Sequence, residues 1–70
     1  MPPLKDYRLY ILDAKGRIAR AEVLSLASEE EALAAARERA RTGKPVEVWH
    51  GSAMLAHVPA DEHTVEHSLQ

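Results

Sequence analysis

The chain has 70 residues, no cysteine and a formal charge of −2 with histidine neutral. Disulfides, iron–sulfur clusters and thiolate zinc sites are therefore excluded, and the slight acidic balance argues against a nucleic-acid binder, which normally carries a basic excess. A chain this short buries only about 60% of the surface its unfolded form exposes, so self-association is the expected source of further stability.

The opening residues MPPLKDYRLY lack the apolar stretch of a signal peptide. No apolar run approaches the roughly 20 residues of a membrane span, so a soluble cytoplasmic protein is expected. Lys5 to Leu12 (KDYRLYIL) is rich in tyrosine and large aliphatic residues and reads as a strand. It enters Asp13-Ala14-Lys15-Gly16, whose aspartate and glycine fit a type I turn closed by a glycine bulge. A second strand then runs from Arg17 to about Leu26. With Asp13 opposite Arg17, the expected pairs are Leu12 with Ile18, Tyr10 with Arg20, Arg8 with Glu22 and Asp6 with Leu24. The other face would carry Ile11 with Ala19, Leu9 with Ala21 and Tyr7 with Val23. One face is then apolar and the other mixes aromatics with paired charges, as in a sheet covered on one side.

Ser28-Glu29-Glu30-Glu31 is a capping box, with Ser28 as N-cap and Glu31 reaching back. Glutamates fill the first turn, and Arg37, Arg39 and Arg41 fill the last, so both ends complement the helix dipole. Gly43 can take the left-handed closing position and Pro45 prevents continuation. Leu33, Ala36 and Ala40, flanked by Ala32, form the face expected to meet the sheet. Val46 to Trp49 is a third strand and Ala53 to Val58 a fourth. A two-residue turn at His50-Gly51 would set Trp49 opposite Ser52, and a three-residue loop ending at Gly51 is the alternative.

The expected fold is thus α+β, a single domain over residues 1–58 followed by a polar, flexible tail over 59–70. Its order is β-β-α-β-β, with one antiparallel sheet in strand order 2-1-3-4 and the helix on one face. Alternation sends Val46 and Val48 to the helix side, and hence Glu47 and Trp49 to the open side. Tyr10, Leu12, Ile18 and Trp49 would form an apolar contact there, rimmed by Arg8, Arg20, Glu22 and Glu47. The expected occupant is a second copy or another protein. The competing reading has Trp49 capping one end of the core.

Other chemistry is thinly represented. His63 and His67 have the i, i+4 spacing of helical metal ligands, beside Glu62 and Glu66, but two ligands do not make a site; no metal or other cofactor is expected. His50 and His57 read as turn and strand residues. Arg37, Arg39 and Arg41, with Lys44, form a basic patch that would be the alternative site, for an anion or RNA. Ser25, Ser28, Ser52 and Ser68 lack elbow-like glycine flanks, and no glycine-rich phosphate loop is present. A polar cluster of Arg8, Tyr10, Glu22 and Glu47 on a flat face would not exclude water, so catalysis is not expected.

Tyr7-Arg8-Leu9-Tyr10, Asp13, Gly16-Arg17-Ile18, Ser28 to Ala32 and Val46 to Gly51 together carry a resemblance. Over about Leu4 to Val58 the chain resembles a family of short uncharacterised bacterial proteins with a hairpin–helix–hairpin layout and a late Glu-aliphatic-Trp-x-Gly element. The resemblance implies one compact domain and carries no functional residue across.

Overall fold

The computed structural model describes residues 3–60. Along the chain come β1 (Lys5–Leu12), β2 (Ile18–Leu26), α1 (Glu29–Ala40), β3 (Val46–His50) and β4 (Ala53–Val58). The strands form one open antiparallel sheet in order β2-β1-β3-β4, and α1 covers one face. This is the expected α+β arrangement. The expected tail residues from Asp61 onward, with the His63–His67 spacing, lie outside the described range.

The first turn forms as its sequence requires. The Asp13 backbone N–H donates to the Arg17 carbonyl at 2.7 Å, and the Gly16 N–H to the Asp13 carbonyl at 3.0 Å. Gly16 sits at φ 80°, where a side chain would be strained. Leu12 pairs with Ile18 as expected, but the register then shifts by one residue. Ile11 faces Arg20, Tyr10 faces Ala21, Leu9 faces Glu22, Arg8 faces Val23 and Tyr7 faces Leu24. Ala19 is the extra residue of a β-bulge, and a one-residue slip turns every later side chain over. The expected placement of Arg20 and Glu22 on the open face is therefore wrong. Both lie on the helix side, in line with Leu24 and Leu26. The physical reason is apolar area: the bulge lets two leucines pack against the core, where the unbulged register would have offered Ala19, Ala21 and Val23.

The helix starts at Ser28, whose Oγ accepts from the Glu31 N–H at 3.3 Å. Glu31 Oε1 accepts in return from the Ala27 N–H at 3.1 Å, one residue before the N-cap. At the other end the Gly43 N–H donates to the Ala40 carbonyl at 3.0 Å, and Gly43 turns the chain at φ 94°. The Pro45 carbonyl then accepts from the Leu12 N–H at 2.9 Å, which docks the start of β3 beside β1. The buried helix row is Ala32, Ala36 and Ala40, at i, i+4 and i+8, with Leu33 half-buried at its margin rather than central. Alanines there let α1 lie close over Tyr7, Leu9, Ile11, Val46 and Val48, which fill the core.

The second hairpin matches neither expected register. His50 pairs with Ala53 around a two-residue loop of Gly51 and Ser52. Gly51 takes φ 63° at the first central position, the place a type II′ turn reserves for glycine. Trp49 pairs with Met54, and beyond a second register shift Val48 pairs with Ala56, Glu47 with His57 and Val46 with Val58. Leu55 is the extra residue, so Leu55, Ala56 and Val58 all reach the helix-side core. No helix of the described residues is long and apolar enough to cross a membrane.

Candidate functional site: the open sheet face

Residues paired across antiparallel strands share a face, so the register assigns the uncovered side directly. One row crosses all four strands: Val23 on β2, Arg8 on β1, Trp49 on β3 and Met54 on β4. The next row is Ala21, Tyr10, Glu47 and His57. Leu12 and Ile18 close the face at the first turn.

Trp49 is fixed by two contacts. Its indole meets the Tyr10 ring edge-on, with centroids 6.2 Å apart and planes at 69°. Its Nε1–H donates to Glu47 Oε1 at 3.0 Å. An edge-to-face pair adds about 0.5–1.5 kcal/mol beyond the area it buries, so the indole is held in place within the single chain. Trp49, Tyr10 and Glu47 are half-buried by one another and by the sheet. Around them Val23, Ile18 and Met54 remain 59%, 57% and 50% exposed. Leu12 is only 7% exposed, yet it stands outside the helix-side cluster, so the open face has a small apolar floor of its own.

Six of the eight expected interface residues thus share this face: Arg8, Tyr10, Leu12, Ile18, Glu47 and Trp49. Arg20 and Glu22 belong to the other side. Val23 and Met54, two of the most exposed large apolar side chains, stand outside the expected set because each lies beyond a bulge or a turn whose register alternation alone does not fix. The competing placement of Trp49 at the end of the core is not observed; His50 holds an equivalent end position, its ring 5.2 Å from that of buried Tyr7.

Glu22 is the anchor of a separate network at the helix end. Its Oε1 accepts from Arg39 Nε at 3.0 Å and lies 2.9 Å from Arg39 Nη2, while Oε2 lies 3.4 Å from Arg20 Nε. The alternative basic site does not assemble as expected. Arg39 is engaged by Glu22 and the Ala35 carbonyl, and Arg41 pairs with Glu38 at 3.4 Å. Only Arg39 and Lys44 of the four expected cations line the neighbouring hollow of about 490 Å³, together with Arg20 and the carboxylate of Glu22. A carboxylate already held by two guanidiniums cancels much of the field an anion would feel.

Among the described residues no three histidine or acidic side chains converge as metal ligands. The expected polar cluster is divided, with Glu22 on the far side of the sheet from Arg8, Tyr10 and Glu47. What remains on the open face is an edge-to-face aromatic pair, an apolar surround, the cation Arg8 and two carboxylates, Glu47 and Asp6, the latter accepting from Ser25 Oγ at 2.9 Å. Such an arrangement presents contact area and charge register rather than an enclosed reaction chamber. No family model, curated protein or solved structure matches the chain.

Proposed function

We propose that the protein works through macromolecular contact, with the open sheet face of one copy docking on that of a second. The observation that supports this reading best is the four-strand row Val23–Arg8–Trp49–Met54, which no described element covers. Charge argues for a second copy as the occupant. Arg8 and Glu47 stand at diagonal corners of a quartet whose other corners are Tyr10 and Trp49. A two-fold axis along the Tyr10–Trp49 diagonal lays each Arg8 over the other copy's Glu47 and each aromatic over its counterpart. Neither Arg8 nor Glu47 has an ion-pair partner among the described residues. A self-complementary patch of this kind is what an isologous interface requires, and the axis crosses the two sheets steeply, as in orthogonal packing.

The test is light scattering over a concentration series on the wild type and on Trp49→Ala. The expected result is a lower assembly mass for Trp49→Ala, with its circular dichroism spectrum kept and its stability reduced by only about 1 kcal/mol for the lost aromatic pair. Equal association by the two proteins, or a strictly monomeric wild type, would overturn the reading.

A further inference from the structure

The sheet has two edges, and they are unlike. On β4 the six-residue ladder is interrupted by the bulge at Leu55 and followed by Pro59, both devices that discourage a neighbouring strand. On β2 the strand is nine residues long, with neither proline nor lysine, and its one bulge sits near the turn at Ala19. No described strand pairs with its outer side. Two of its large apolar residues, Ile18 and Val23, are more than half exposed.

We infer that the outer edge of β2 pairs antiparallel with β2 of a second copy, about a two-fold axis at Ala21. The order Arg20-Ala21-Glu22 supplies the reason. Pairing centred on Ala21 sets Arg20 opposite Glu22 of the second copy and Glu22 opposite its Arg20, on the helix side of both sheets. On the open side Ala21 meets Ala21, and the regular pairing ends at the bulge at Ala19 of each copy, which faces the helix-side hollow. Opposite charges directly across strands stabilise a pair, and like charges destabilise it. Centring the pairing one residue later would set Glu22 against Glu22, so the charges select the register. Arg20 can take the contact, since its side chain is 73% exposed and its existing Glu22 pair is long at 3.4 Å. The eight strands then form one continuous sheet through main-chain hydrogen bonds, the strand-addition mode of recognition. This contact uses the edge and is independent of the open face.

A charge exchange tests it in a Trp49→Ala background, where open-face docking is weakened. The Trp49→Ala protein is expected to be a dimer. Adding Arg20→Glu, or adding Glu22→Arg, sets like charges across the axis and should give monomers with unchanged circular dichroism. An equimolar mixture of those two proteins restores both opposite pairs and should return to dimer. Monomeric Trp49→Ala protein, unchanged dimer in either charge variant, or a mixture that stays monomeric would overturn the inference. Should a charge variant fail to fold, amide hydrogen exchange on the wild-type chain decides. The outward-pointing amides of β2 should slow as concentration rises, and rates equal at high and low concentration would overturn it.

Discussion

Asp13 shows how much of the first hairpin is set by one side chain. Its Oδ1 accepts from the backbone N–H groups of Lys15 and Arg17, each at 2.9 Å, and Oδ2 lies 3.4 Å from Arg17 Nε. The Arg17 N–H, foremost among these, holds the carboxyl below its ordinary 3.8. A depressed carboxylate stabilises the fold at pH values above the unfolded pKa, and that stabilisation is lost as pH falls through the folded value. The thermal midpoint of Asp13→Asn should therefore sit below the wild type at neutral pH, with the gap closing under acid below about pH 4. A gap that stays constant from neutral to acid would show that Asp13 acts without its charge. At the same scale, Val46 and Val48 decide where Trp49 stands. Val46 and Val48 are fully buried, which leaves the neighbouring indole no face but the open one.

Elements formed where local chemistry and burial agree. The helix is the clearest instance, because its N-cap, acidic first turn and closing glycine all point to the same boundaries. Ser28→Ala removes the acceptor for the Glu31 N–H and should cost about 1 kcal/mol, read as a lower urea midpoint at unchanged slope. No change in midpoint would mean that packing of the alanine row alone fixes the helix start. The same agreement made β1, β3 and the strand order legible in the sequence. It failed on β2, where alternation offered two apolar sets. Ala19, Ala21 and Val23 fall in line with the turn, whereas Leu24 and Leu26 fall one residue out of phase. The leucines win because they bury more area, and the bulge at Ala19 absorbs the difference. The signal was present in the greater size of Leu24 and Leu26, and the regular turn masked it. On β4 the second bulge likewise serves Leu55 and Ala56. The open face follows these registers: the bulge at Ala19 carries Arg20 and Glu22 to the helix side and Val23 to the open face, and the Gly51-Ser52 turn sets Met54 beside Trp49.

At the scale of the whole molecule, the core is small. Among the described residues, Leu9, Val46 and Val48 are the only large side chains fully buried, and three of the nine core residues are alanine. Leu9→Ala should cost about 2–5 kcal/mol, a large part of the stability of so small a domain, and should leave a chain largely unfolded at moderate temperature. A cooperative melt close to the wild type would mean that the core is braced by more than these residues. The proposed face docking and the inferred edge pairing use different two-fold axes, so together they would build assemblies larger than a dimer. They also answer to different variants, Trp49→Ala for the face and Arg20→Glu for the edge.

Because Trp49 is the chain's single tryptophan, its fluorescence reports on the open face alone. Emission and acrylamide quenching should be followed on the wild type as protein concentration rises. Docking through that face predicts a shift to shorter wavelength and falling access to quencher, in step with the rise in mass. An indole whose colour and quenching stay constant while the mass grows, or a mass that never grows, would contradict it.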